Sequence, residues 1–380
     1  MRKVNLFYLF SALVFGALLM VTSCTKEGPA GPAGKDGVDG VDGTDGTPGV
    51  DANTHCLNCH TAVKMEAIET AFNETPHAMG ASWARGTSAS CGRCHSNDGY
   101  VEFVRSGAEI AAAVSTPVVC GTCHADHVSL ETDMGAPMRE VGPVVAVVDA
   151  TGETVFDHGV GNICATCHQA RSTGATYDNQ TEPTTFTRTF TGDDIAVYQN
   201  GALGPNGSAT LNGTGDTLTV VFDVPLTHVY ISSTHAGPHH GPMANMFAGI
   251  VGYPTNGIVF DRDHHTDCVN CHLNDSTAGY GHSFLPDVQI CNNCHGDAFD
   301  VEGFQAEIEE RMAAIEVKLE EIHAIHVEDG EVHPMYASIT REEFQAFWNF
   351  MGIYEDKSMG IHNPDYTEQM LNLAEDNLGK

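Results

Sequence analysis

Along the 380 residues of this chain, apolar positions form few long stripes. The clearest lies near the C-terminus, where Phe304, Ile308, Met312, Ile315, Leu319, Ile322 and His326 recur at intervals of four and three. That is the spacing of one helix face, and it predicts an amphipathic helix over 302–326. A second helix is expected from Thr340, where Thr340-Arg-Glu-Glu343 has the form of a capping box and Phe344, Phe347, Trp348 and Met351 make the apolar stripe. A third, short helix follows Pro364. Near the other end, Met65, Ile68 and Phe72 place a short helix within 54–72. Period-two alternation marks strands at Thr184 to Thr191 and Thr217 to Val224, with turn residues at Gly201 to Gly207 and Asn212 to Gly215. Val144 to Val148 and Thr154 to Phe156 flank Asp149-Ala-Thr-Gly-Glu153 as a β-hairpin would. The pattern gives a mostly irregular and α-helical fold with a small β-rich insertion over 173–232 and a C-terminal helical segment over 301–380.

What fills the irregular stretches is a repeated motif. Cys-x-x-Cys-His occurs at Cys56, Cys59, His60; Cys91, Cys94, His95; Cys120, Cys123, His124; Cys164, Cys167, His168; Cys268, Cys271, His272; and Cys291, Cys294, His295. With 13 Cys and 21 His in the chain, chance would supply only ~0.02 such boxes. A zinc knuckle or a thioredoxin-type pair needs no histidine directly after the second cysteine. A c-type haem does: the two sulfurs add to its vinyl groups and the histidine meets the iron. Six covalent haems are therefore expected, four over 52–172 and two over 233–300, and they replace much of the apolar core that the pattern lacks.

The N-terminus reads as a secretory signal over 1–23. Arg2-Lys3 precedes an apolar run from Leu6 to Val21, too short for a membrane span, which ends in the lipobox Val21-Thr-Ser-Cys24. Cys24 lies outside the boxes, and its expected role is lipidation at a new N-terminus. Thr25-Lys-Glu27 only partly resembles surface-export signals, so an outer-membrane lipoprotein facing the periplasm or the cell surface is expected. Over 24–51 follow eight Gly-x-y triplets, from Gly28 to Asp51. Glycine at every third position suits a collagen triple helix, which would make the protein a homotrimer; an extended, solvated tether suits the same composition. Either form is a spacer, reaching up to about 70 Å at ~3 Å per residue.

Net charge is −33, and removal of Arg2 and Lys3 with the signal takes it to −35. So acidic a surface excludes nucleic acid as a partner and suits basic redox proteins or cationic metal species.

The boxes over 53–380 resemble those of exported multihaem c-type cytochromes of respiratory bacteria. Also similar to recurrent patterns in that family are His235-Ala-Gly-Pro-His-His-Gly-Pro-Met-Ala-Asn-Met246, Gly281-His282-Ser-Phe284, and the stretch from Asn349-Phe350 to His362-Asn-Pro-Asp-Tyr366. The resemblance implies that His282, between paired boxes, and His362, in the terminal His-Asn-Pro, supply sixth iron ligands. The residues themselves point to His77, with Met79 as a weaker alternative, and to His127, which is too near His124 to serve that box's own iron. They also point to one of His239 or His240 and one of His264 or His265. The expected distal set is His77, His127, His239, His265, His282 and His362, with His55 and His158 as substitutes. Bis-histidine haems suit electron transfer among redox partners, other multihaem cytochromes included. Two alternatives stand beside this envelope-anchored wire. One is an oxidoreductase with a single open haem acting on a small nitrogen compound, and the other is a structural filament or stalk.

Overall fold

The largest apolar core belongs to the C-terminal third. In this computed structural model, which describes residues 56–57, 59–127, 137–149, 151–200, 207–213, 215–258, 268–274, 276–296 and 300–379, Asp51–Lys380 forms one compact unit. Cys24, the Gly-x-y repeat, His55, His264 and His265 lie outside the described residues. Among the described residues, the helices of seven or more residues are α1 (Ala62–Asn73), α2 (Ala89–His95), α3 (Asn97–Ser106), α4 (Asp194–Asn200), α5 (Gln289–His295), α6 (Val301–Glu321), α7 (Arg341–Asp356) and α8 (Pro364–Asn377). Ile308, Met312, Ile315 and Leu319 of α6 are buried against Phe344, Phe347 and Trp348 of α7 and Met370, Leu371 and Ala374 of α8. Truncating one such aromatic to Ala typically costs about 3–5 kcal/mol, so the stripe read from the sequence anchors this region.

Caps place the helix starts. Thr340 and Glu343 form the expected reciprocal box, with Glu343 N–H donating to Thr340 Oγ1 at 3.2 Å and Thr340 N–H to Glu343 Oε2 at 2.7 Å. Asn363 caps α8 by accepting from Tyr366 N–H at 3.1 Å, with Pro364 in the first turn. The first helix end differs from expectation. Although the apolar spacing runs on to His326, α6 stops at Glu321; His323 turns left-handed at φ 58° and Ala324 N–H closes on Leu319 carbonyl at 2.9 Å. His326 then lies in a strand.

Among the described residues, the strands form four small antiparallel sheets. They are β1 (Val144–Val145) with β2 (Val155–Phe156); β5 (Thr217–Val224) between β3 (Thr184–Thr191) and β4 (Gly207–Asn212); β6 (His228–Ile231) with β9 (Ala337–Thr340); and β7 (Ile325–Glu328) with β8 (Glu331–Pro334). The strands β3 and β5 occupy the alternating runs of the sequence, in register from Thr184 opposite Val224 to Thr191 opposite Thr217. Leu218, Val220, Phe222 and Val224 form the buried face. The unanticipated α4 covers that sheet, with Tyr198 stacked on Phe190 at 3.9 Å between ring centroids. Because β6 pairs with β9, from His228 opposite Thr340 to Ile231 opposite Ala337, the β-rich stretch is continuous with the C-terminal core.

Toward the N-terminus, apolar packing thins out. Phe156, Val144, Ala146, Ala165 and Ala244 make a small cluster under the fourth box, and Gln169 Oε1 accepts Val147 N–H at 2.8 Å.

Candidate cofactor centres

All six boxes lie on helical turns. The second and sixth belong to α2 and α5, the third and fifth to short helices at Cys120–Cys123 and Cys268–His272. In the first, third and fourth, the histidine N–H donates to the carbonyl of the leading cysteine at 2.8–2.9 Å. Positions i, i+3 and i+4 share one face of a helix. This is why the motif has its spacing: both sulfurs and the imidazole are presented together. The described cysteines are free of disulfides.

Five box histidines each face a second histidine from a distant part of the chain. Ring centroids are 6.3 Å apart for His60 and His127, 6.0 Å for His168 and His77, and 6.1 Å for His95 and His239. They are 6.1 Å apart for His124 and His282, and 6.2 Å for His272 and His362. Two metal–nitrogen bonds of about 2.0 Å in line, with the two ring radii added, span about 6 Å between centroids. The narrow spread fits a metal ion between each pair and is too long for a direct hydrogen bond between the rings. The remaining expected distal ligand, one of His264 or His265, lies outside the described residues.

The outer nitrogens are held. His124 Nδ1 donates to Pro137 carbonyl at 3.3 Å, His272 Nδ1 to Phe284 carbonyl at 2.9 Å and His282 Nδ1 to Gly279 carbonyl at 3.0 Å. His362 Nδ1 donates to Asp356, at 2.9 and 3.0 Å from its two oxygens. A carbonyl or carboxylate can only accept, so each ring keeps its proton on Nδ1, which leaves Nε2 with the lone pair a metal would need. That is the usual outer-shell device of metal-binding histidines.

Electrostatics favour the neutral, ligating form at most of these sites. Burial holds His168 down to about 4, helped by nearby His77, His362 and His272, and holds His239 down to about 4, helped by His240 and His95. Burial likewise lowers His77, His95, His124 and His272. At His362 burial also opposes the charge, but the charge and hydrogen bond of Asp356 outweigh it and raise the value.

The loops that carry the facing histidines are built for close approach. His239 sits at φ 82° in Gly237-Pro-His-His-Gly241, which Arg171 N–H pins through Pro238 carbonyl at 2.8 Å. Gly241, at φ 75°, packs so tightly on the fourth box that a Cβ there would lie 3.0 Å from His168 Nδ1. His240 turns away, its Nδ1 2.8 Å from Glu355 Oε2, and Glu355 raises its pKa through that hydrogen bond against burial. His235 is exposed and contacts Thr234 Oγ1. His158 is buried beside Phe156 and Phe247 and lines a cavity with Cys164, His168, Met243 and Cys268.

Neighbouring boxes touch. Arg93, inside the second box, is buried and donates to Thr166 carbonyl of the fourth at 3.2 Å, while Cys167 Sγ lies 3.6 Å from Arg93 carbonyl. Phe284 joins three pairs, its ring 4.9 Å from His77 and 6.4 Å from His282 and its carbonyl on His272. Arg139 clasps the third box through Gly121, Thr122 and His124 carbonyls. Phe284 closes one of the stretches quoted from the sequence, whereas Arg93 and Arg139 did not stand out there, although an arginine between the two cysteines of a box was visible.

No known protein family and no curated protein matches the sequence. Two solved structures are similar in part. The outer cell wall cytochrome OcwA aligns at TM-score 0.46 and 18% identity, over 82% of this chain and 50% of that one. The undecaheme cytochrome from the S-layer of Carboxydothermus ferrireducens aligns at 0.42 and 18%, over 82% of this chain and 39% of that one. The chain thus spans half or less of the length of each.

Proposed function

We propose that the chain is a hexahaem c-type cytochrome that passes electrons between redox partners at the cell envelope. The observation that carries this reading is the set of five box histidines, each facing a second histidine at 6.0–6.3 Å. In it, Cys56 and Cys59, Cys91 and Cys94, Cys120 and Cys123, Cys164 and Cys167, Cys268 and Cys271, and Cys291 and Cys294 hold the haems. The pairs are His60 with His127, His95 with His239, His124 with His282, His168 with His77, His272 with His362, and His295 with His265. Haems so bound supply one-electron ferric–ferrous chemistry. The chain's own part is to saturate each iron, exclude exogenous ligands and keep adjacent centres in contact through Phe284 and the paired second and fourth boxes.

The deciding experiment is a haem count with ferric spectra. Pyridine haemochrome should give six haems per chain, the ferric protein should be wholly low-spin, and carbon monoxide, nitrite and hydroxylamine should not bind at equilibrium. A stoichiometric high-spin haem that binds them would replace this reading with the oxidoreductase. His282→Ala or His362→Ala should each turn about one sixth of the haem high-spin. Anchoring belongs to the same proposal: Cys24 is lipidated, the Gly-x-y segment spaces the haem domain from the outer membrane and, if it trimerises, makes a homotrimer. Cys24→Ala should release the haem-loaded protein from membranes, and quantitative retention after a high-salt wash would count against the lipid anchor.

A further inference from the structure

We propose that Asp356 lowers the reduction potential of the iron held between His272 and His362. The inference rests on the haem reading above and concerns one centre within it.

Asp356 is the last residue of α7 and is 1% exposed. Lys357 follows at φ 62°, turning the chain so that Ser358 and His362 return to the helix end. Ser358 Oγ donates to Asp356 Oδ2 and accepts His362 N–H at 3.1 Å. The carboxylate is therefore fixed from one side by Ser358 and from the other by His362 Nδ1, at 2.9 and 3.0 Å. The Lys357 ammonium is drawn over the Tyr354 ring, 3.7 Å from its centroid. Asn363, next to His362, is buried and donates to Met246 and Ile258 carbonyls at 3.0 and 2.7 Å, which locks the histidine's backbone.

At His124, His272 and His282 the Nδ1 acceptor is a neutral peptide carbonyl. At His362 it is a buried anion, and two effects follow with the same sign. A carboxylate acceptor draws the Nδ1 proton outward and makes Nε2 a stronger electron donor. A full negative charge close to the centre also favours the more positive ferric state over the ferrous, and burial leaves it weakly screened. Asp356 thus acts through His362, as a positioning and tuning residue.

The test is a spectroelectrochemical titration of the haem-loaded protein, with the wave of this centre identified by its loss from the low-spin set in His362→Ala. In Asp356→Asn that wave, about one sixth of the total amplitude, should move to higher potential while the protein keeps six low-spin haems. Ser358→Ala removes a hydrogen bond that competes for the carboxylate but keeps its charge, so the same wave should move to lower potential. A wave that stays in place in Asp356→Asn, or that moves the same way in both variants, would overturn the proposal. If the Asn variant fails to mature, Ser358→Ala decides alone: a downward shift supports it, and no shift or an upward one rejects it. Failure of the haem reading itself would show separately, as fewer than six haems in the wild-type protein.

Discussion

His239 and His240 adjoin in sequence and in space, their ring centroids 5.2 Å apart, yet they make different contacts. His239 takes a left-handed backbone, which histidine tolerates better than most residues, and its ring faces His95 at 6.1 Å. His240 has a largely exposed side chain whose Nδ1 is held by Glu355. On the proposed reading, only the first is placed to complete an iron's coordination. His239→Ala should therefore convert about one sixth of the ferric haem to high-spin, whereas His240→Ala should leave it wholly low-spin. Electron paramagnetic resonance of both variants checks this, and the opposite result would exchange the two roles. The sequence left the pair open because coordination depends on which ring points at a distant box. The boxes themselves were plain, being local: Cys164 and His168 meet on one helical turn wherever the rest of the chain goes. Asp356 was not identifiable as an outer-shell residue, since nothing in its spacing from His362 marks it off from the chain's other acids.

Among elements, the segment between the fifth and sixth boxes carries two non-glycine residues at positive φ, Tyr280 and Phe284. Phe284 adopts φ 55°, a left-handed conformation that costs a residue with a side chain roughly 1–2 kcal/mol, at a point where its ring and carbonyl serve three histidine pairs. Strain at such a position fits a functional constraint. Phe284→Ala loses the ring and keeps the strain; Phe284→Gly loses the ring and relieves it. Glycine should thus be the more stable of the two by about 1 kcal/mol, the reverse of its usual standing against alanine. Thermal or urea unfolding of the haem-loaded variants would measure it, and a less stable glycine variant would show the backbone to be unstrained. The β5 strand followed from alternation because one of its faces is buried and the other wetter, and β3, where only Phe190 is buried, from its alternating Thr and Phe residues. The end of α6 did not, because Ile322 and His326 continue the helical spacing after the backbone has left it. The usable signal lay further on: Asp329-Gly330, at φ 54° and 82°, suits the two-residue turn of a hairpin, and Ile325 to Glu328 alternate as a strand does.

At the scale of the whole molecule, the contacts give the proposed centres an order. His124 belongs to the third box and His127, three residues on, faces His60 of the first, so those two centres adjoin. Phe284 lies between His282 of the third pair and His77 of the fourth. Cys164 and His168 of the fourth box line one cavity with Cys268 of the fifth. The second box meets the fourth where Arg93 bonds Thr166 carbonyl. Among the described pairs the fourth centre thus touches the second, third and fifth and is the junction of a path from first to third to fourth to fifth, beside the contact that the Phe284 carbonyl makes with His272 of the fifth; the second is a branch. Electron transfer weakens steeply with distance, so opening the junction should do more harm than opening the branch. In rapid mixing of the reduced protein with a bulky one-electron oxidant, His77→Ala should slow the late oxidation phases of the remaining centres more than His239→Ala, although each variant opens one haem. Equal slowing would mean that electrons bypass the fourth centre, and greater slowing in His239→Ala would move the junction to the second box.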